Sequence, residues 1–385
     1  MTHSTELVQP SGAASAAPRI RLVGTEENPV WGLSGGERLR RMARQLGATI
    51  VDEAQDDEAV LLVRCDAVIG ARMFAAMLRL ESVVVLDEDG AAAVAAAAPP
   101  GRAAELEAFL RGGRWIGDEQ SLPLPVLRPT DLDRAFDESL RRRPGRPIAR
   151  LVDAENTPRA EWSLYNAANL GVTDIVAKYL WLYPAFHLAR TAQRAGVPAM
   201  AVTAGVLLLS LLAALLFLNG GFAAGLVVAW AASLADAADG KLARVTVATS
   251  PLGDALDRGT DILAPPIWYA AWLAGLAATG QMAGPWVWIA VMSVGLYFGC
   301  KLQELWFYRR HNLGLYAWRA FDSWFRLIAA GRNTNLVILT LFALAKSPYL
   351  AIAGVAVWTG FAFAVQLVRI VQAEGAGTIR SWMEP

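Results

Sequence analysis

Asp236-Ala-Ala-Asp239-Gly240-Lys241-Leu242-Ala243-Arg244, followed after eight residues by Gly253-Asp254-Ala255-Leu256-Asp257-Arg258-Gly259-Thr260-Asp261, lies at the seam between two very apolar segments. Carboxylates are costly near a bilayer, so aspartates spaced by three and four residues at helix ends mark a functional site. Asp236 and Asp239 are i,i+3 on one helix, and Asp257 and Asp261 are i,i+4 on the next, so each pair projects from a single helical face. A tight hairpin brings the two pairs together as hard oxygen ligands suited to Mg²⁺ or Mn²⁺.

Outward from this hairpin the chain divides by composition. It has 385 residues, 55% of them hydrophobic, with 14 tryptophans and a mean hydropathy of +0.34. The apolar excess is uneven: residues 1–160 are rich in Arg, Asp and Glu, whereas 199–372 hold several long apolar runs. One soluble domain followed by one membrane domain is the expectation. Lysine plus arginine balance aspartate plus glutamate at 35 each, so the chain as a whole makes no case for nucleic acid as a partner. Cys65 and Cys300 lie in different regions and supply no zinc spacing or disulfide framework.

Apolar runs near 200–218, 220–238, 257–279, 284–305, 334–348 and 350–371 predict an all-α bundle of six transmembrane helices. The segment Phe307–Asn333 carries Arg309, Arg310, Arg319, Arg326 and Arg332. By the positive-inside rule it faces the cytoplasm together with the Lys241/Arg244 hairpin. This makes a multi-pass protein of the cytoplasmic membrane, with the aspartates and the amino-terminal domain on the cytoplasmic side. Residues 161–198, with Tyr179–Phe186 (YLWLYPAF), read as an amphipathic interfacial helix. His187 and His311 are isolated and read as interfacial polar residues.

Upstream, residues 1–18 lack the basic and apolar regions of a signal peptide and read as a disordered tail. Residues 19–140 alternate strand-like and helix-like stretches: Ile20–Val23, Ala48–Val51, Ala59–Arg64 and Ser82–Leu86 against Glu37–Leu46 and Ala71–Leu80. That order predicts an α/β domain with a mainly parallel sheet. Arg141–Arg150 (RRRPGRPIAR) opens a linker over 141–160, and 373–385 forms a carboxy-terminal tail.

The spacing D-x-x-D-G-x-x-A-R-x(8)-G-x-x-x-D-x-x-x-D resembles the signature of the CDP-alcohol phosphatidyltransferase family, and every fixed position is present. A solvated acidic loop would need no fixed glycine, alanine and arginine positions. The resemblance implies a transferase that moves a substituted phosphate from a CDP-linked donor, above all CDP-diacylglycerol, to a small alcohol or phosphorylated polyol, releasing CMP. It implies that Asp236, Asp239 and Asp257 bind metal, and that Asp261 is the catalytic base and also touches an ion. It places Gly240, Ala243, Arg244 and Gly253 at the nucleotide, and it implies a homodimer. Small residues that only pack helices are the plain alternative for the glycines and alanine. The acceptor needs cations, for which Lys178, Arg319, Arg326 and Arg332 are candidates; charges that only set topology are the alternative.

The soluble extension is similar to the inositol-phosphate cytidylyltransferase part of bifunctional proteins that make di-inositol phosphates. Gly32–Arg38 (GLSGGER) and Leu61–Asp66 (LLVRCD) carry this resemblance, with Asp66 at a metal-binding position. No Lys-Pro pair follows the loop, and residues 1–177 contain no lysine to brace a triphosphate. An inactive or regulatory nucleotidyltransferase-like domain is the expectation. A soluble CDP-polyol donor is the second reading of the reaction. A non-catalytic anchor or a transporter is the reading from another class, although transporters place carboxylates near the bilayer midplane and show internal repeats.

Overall fold

A computed structural model describes residues 17–25, 27–53, 57–112, 124–132, 141–142, 147–281 and 286–384. Most of the tail (1–16), part of the linker (143–146) and part of the 279–285 connection lie outside the described residues. The chain forms two units. The first comprises Met1–Ala135, Pro144–Asn169 and Arg244–Ala248, and the second Phe136–Arg143, Leu170–Ala243 and Thr249–Pro385.

The first unit is α/β. Its strands are β1 (Arg19–Val23), β2 (Thr49–Ile50), β3 (Val60–Arg64), β4 (Ala67–Ile69), β5 (Val83–Leu86), β6 (Ala93–Ala98), β7 (Val126–Leu127) and β8 (Ala149–Leu151). Its helices are α1 (Gly35–Leu46), α2 (Ala71–Met77), α3 (Ala103–Arg111), α4 (Pro129–Leu132) and α5 (Thr157–Ala167). The main sheet runs β2-β1-β3-β6-β5-β7. It is mixed: β1 pairs parallel with β2 and β3 and β5 parallel with β7, as a mainly parallel sheet would, while β6 pairs antiparallel with both β3 and β5.

A tight turn is the physical reason. The Asp87 carboxylate accepts from the backbone N–H of Ala91 at 2.7 Å and Ala92 at 3.2 Å, and Gly90 takes φ +72. A hairpin turn forces antiparallel pairing. The returning strand β6 is AVAAAA, and alanine has little strand preference of its own. All six residues are buried in the middle of the sheet. Ala95 and Ala97 join Leu39, Met42, Phe74 and Met77 of α1 and α2 on one face, while Ala96 and Ala98 join Leu106 and Leu110 of α3 on the other. Within the stretch read as a linker, β8 pairs antiparallel with β4.

The five residues Arg244–Ala248 complete this unit. Val247 packs against the cluster containing Leu39 and Met42. Arg38, only 2% exposed, donates to the carbonyl oxygens of Val30 at 2.7 Å and Val245 at 2.6 Å. Burial lowers its pKa to about 10. Arg41 donates to the Thr246 carbonyl at 3.0 Å.

The second unit is helical: a π-helical turn (Val176–Leu180), α6 (Leu182–Arg194), α7 (Ala199–Leu218), α8 (Phe222–Val245), α9 (Pro251–Ala278), α10 (Trp286–His311), a 3₁₀ turn (Leu315–Ala317), α11 (Ala320–Arg326), α12 (Arg332–Leu344) and α13 (Pro348–Glu374). Among the described residues α7, α8 and α13 are long and apolar enough to cross a membrane, at hydropathies of 2.6, 1.3 and 1.9. Where six spans were expected, α12 is shorter, at 13 residues. The stretch 161–198 is not one helix. It breaks after α5, and Asp174 starts the π-helical turn by accepting from the Ala177 N–H at 2.9 Å.

Helices α7 and α9 approach closely because glycine lets them. A Cβ on Gly275 would lie 1.9 Å from the Phe217 carbonyl oxygen. Phe217, Trp268, Tyr269, Trp272 and Tyr297 fill the core around that contact. The Trp268 indole donates to the Ser210 carbonyl at 2.9 Å, which satisfies a polar group inside an apolar bundle. At the other end Arg369 donates from Nε and Nη2 to the two oxygens of the buried Asp322, at 2.6 and 3.0 Å. Residues 381–383 return to this cluster, with Ser381 donating to the Ala317 carbonyl at 2.8 Å.

Candidate functional site

The last turns of α8 carry Asp236 and Asp239, and the first turns of α9 carry Asp257 and Asp261. Ser250 caps α9 by accepting from the Gly253 N–H at 3.1 Å, and Pro251 opens the helix. The cap fixes where the first turn begins and so directs Asp257 and Asp261 toward α8. One carboxylate oxygen each of Asp236, Asp257 and Asp261 lies within 4.8 Å of the others. Asp239, 2% exposed, is not one of those three; one of its oxygens accepts from the Gly240 N–H, while the buried Oδ2 has no hydrogen-bond partner. An orphaned buried carboxylate oxygen beside three convergent carboxylates fits a hard divalent cation.

The anionic charge is partly met by Arg332, the first residue of α12. Its Nη1 lies 2.9 Å from Asp236 Oδ1 and 2.8 Å from Asp261 Oδ1, and its Nη2 donates to Asp236 Oδ2. The planar fork suits this bridging role. Asp236 keeps 14% of its side chain exposed and Asp261 53%, so Asp261 is the open member of that pair. Arg332, Lys301 and Arg326 are the cations that act most on Asp261.

Of the cations named from sequence, Arg332 contacts the aspartates, while Arg326 lies 5.2 Å over the Tyr316 ring. Lys178 instead lies 5.3 Å over the Tyr179 ring, and Arg319 lies 4.3 Å over Trp318 and caps α11 with Asp322. Lys301 went unnamed, although a charge inside an apolar run is itself a signal. Gly253 has room for little: a Cβ there would meet Ser250 Oγ at 3.1 Å and the Met200 methyl at 3.5 Å. Gly240 and Ala243 lie on the last turns of α8, and Arg244 belongs to the first unit, where it acts on the Tyr165 hydroxyl.

A buried polar chain backs this cluster and was also missed. Asn333 donates from Nδ2 to both oxygens of Asp174 at 3.1 Å. Ser233 donates to Asn333 Oδ1 at 2.6 Å, and the Trp181 indole donates to Ser233 Oγ at 2.9 Å.

In the first unit, Asp66 is held by its neighbour: Arg64 donates from Nε and Nη2 to its two oxygens at 2.9 and 2.6 Å. A Cβ on Gly35 would lie 1.8 Å from the Cys65 carbonyl oxygen, so this glycine of the GLSGGER loop serves close packing of the backbone.

The CDP-alcohol phosphatidyltransferase family profile matches residues 196–366. Among solved structures, phosphatidylinositol phosphate synthase (PgsA1) of Mycobacterium tuberculosis with CDP-DAG bound is 20% identical, covering 48% of this chain and 91% of that one at a TM-score of 0.39. Its complex with manganese and citrate has the same identity and TM-score and covers 48% and 87%. No curated protein matches the sequence. The matched stretch contains the whole aspartate signature, α7, α8 and most of α13. Residues 196–366 are a CDP-alcohol phosphatidyltransferase domain, and the protein that carries it is a membrane phosphotransferase.

Proposed function

We propose that the protein transfers a phosphatidyl group from CDP-diacylglycerol to a small, phosphorylated alcohol in phospholipid biosynthesis. The observation that carries this is the convergence of Asp236, Asp257 and Asp261 within 4.8 Å under the guanidinium of Arg332. The acceptor oxygen attacks the β-phosphorus of the donor, and the bond from that phosphorus to the bridging oxygen breaks. CMP leaves with the electron pair, and the acceptor proton passes to Asp261, the exposed carboxylate. Asp236, Asp239, Asp257 and Asp261 would hold Mg²⁺ or Mn²⁺, which would supply positive charge to neutralise the pyrophosphate. Gly240, Ala243, Arg244 and Gly253 are assigned to the nucleotide by motif position alone.

Arg326, Arg332 and Lys301 acting on Asp261 favour an acceptor that carries a phosphate of its own. Six membrane spans, a cytoplasmic site and a homodimer belong to the same reading. So does a first unit that is inactive as a nucleotidyltransferase, since Arg64 occupies the carboxylate of Asp66.

The test is CMP release from CDP-diacylglycerol in detergent with Mn²⁺ and a panel of alcohols, against a CDP-polyol arm. We expect release that stops with chelator and falls by about 10²-fold or more in Asp261→Asn and in Asp236→Asn. Release that is metal-independent, or unchanged in both variants, would sink the reading. Release from the CDP-polyol alone would transfer it to a soluble donor.

A further inference from the structure

We propose that Asp174, Asn333 and Ser233 are positioning residues that fix Arg332 against Asp236 and Asp261. The inference rests on the reading of those two aspartates as reaction carboxylates, but its geometry is independent of the substrate. Arg332 opens α12, and the residue after it, Asn333, is 5% exposed. The preceding Gly331 has extended backbone, and no side chain caps the helix. A first helical turn without a side-chain cap frays unless something else holds it. Here both functional ends of the Asn333 amide are engaged: Nδ2 on the Asp174 carboxylate and Oδ1 on the Ser233 hydroxyl.

Each partner ties α12 to a different element of the site. Ser233, fully buried, stands three residues before Asp236 on α8, so the two share a helix face. Asp174, 9% exposed, starts the π-helical turn through the Ala177 N–H, and the next residue, Ile175, donates its N–H to the Leu327 carbonyl at 2.8 Å. The Trp181 indole closes the chain on Ser233. Four hydrogen-bonding side chains thus join α8, α12 and the segment before α6 immediately behind the Arg332–Asp236 contact. Asp174 is also one of the charges that act on Arg332 and Arg326. It is not one of the convergent carboxylates. Its role is to hold a cation's backbone and to balance that cation's charge from behind.

A relay of this kind acts through Arg332 or not at all, which a double-mutant cycle decides. Two quantities are measured on the full chain in detergent: kcat for CMP release, and the Kd for Mn²⁺ by direct titration without substrate. Arg332→Gln removes a cation that opposes metal at the shared carboxylates, so it tightens Mn²⁺ binding. Asn333→Ala is expected to shift the Mn²⁺ Kd in the same direction and to lower kcat on the order of tenfold, as loss of an outer support does. In the Arg332→Gln background both effects of Asn333→Ala should shrink to less than about twofold. Equal effects in both backgrounds, or none in either, would overturn the proposal.

If Asn333→Ala does not yield monodisperse protein, the reciprocal exchange Asp174→Asn with Asn333→Asp supplies the second measurement. It keeps an amide facing a carboxylate, so the Mn²⁺ Kd should return to within about twofold of the parent value. No recovery counts against the relay. Should the parent release no CMP while the Mn²⁺ cycle behaves as expected, the transferase reading fails and the relay stands.

Discussion

Arg332 holds two carboxylates at once, and this sets what the site can do before substrate arrives. A guanidinium bridging Asp236 and Asp261 keeps both anions tolerable in a crowded site. Lys301, three residues before Glu304 and 3.1 Å from it, is a further cation near the aspartates. Losing a charge-assisted hydrogen bond of this kind costs roughly 2 kcal/mol. Lys301→Met should therefore raise KM for a phosphorylated acceptor by more than about tenfold, while an uncharged alcohol keeps its KM. Steady-state kinetics on a matched pair of acceptors reads the difference; equal changes for both would remove Lys301 from the acceptor site. The four aspartates were legible because their spacing is rigid on helices. Asn333 and Ser233 were not, since a lone amide and a lone hydroxyl become meaningful only when three separate segments bring them together.

At the scale of elements, the register between α7 and α9 is set by small residues. A Cβ on Gly275 would sit 1.9 Å from the Phe217 carbonyl oxygen, and one on Gly220 would meet the Thr279 methyl at 2.4 Å. Gly275→Val should therefore push the helices apart, with an overpacking cost of about 1–3 kcal/mol. Its Tm in detergent should fall below the parent's, whereas the same change at Gly295, where a Cβ meets nothing within 4 Å, should leave Tm in place. Equal Tm for the two variants would contradict this. The apolar runs announced helices α7, α8, α9, α10 and α13, of which α7, α8 and α13 are, among the described residues, the ones long and apolar enough to cross a membrane. They could not announce β6, because an alanine-rich strand has the composition of a helix and owes its conformation to the strands on both sides. Nor could they show that the 161–198 stretch breaks after α5 and resumes in a π-helical turn, where the Asp174 carboxylate accepts from the Ala177 N–H.

At the scale of the whole molecule, a buried arginine ties separate segments together in each unit. In the second, Arg369 joins α13 to Asp322 at the start of α11, with 11% and 2% of the two side chains exposed. Removing one partner of such a pair leaves a buried charge unanswered, at a cost of about 3–5 kcal/mol. Asp322→Ala should lower Tm strongly, and Asp322→Ala with Arg369→Met should recover much of the loss; a double variant no better than the single would contradict this. In the first unit the corresponding residue is Arg38, and its position has a consequence for how the chain is made. Its two carbonyl acceptors, Val30 and Val245, are separated by more than half the sequence, with Val247 packed on the same core. A ribosome releases the α/β strands early, but the five residues that finish their unit emerge only after the first two apolar helices have been synthesised. Until then Arg38 lacks one of its two acceptors. The α/β fold is therefore completed only after α7 and α8 have been synthesised, which puts the two units on one timetable.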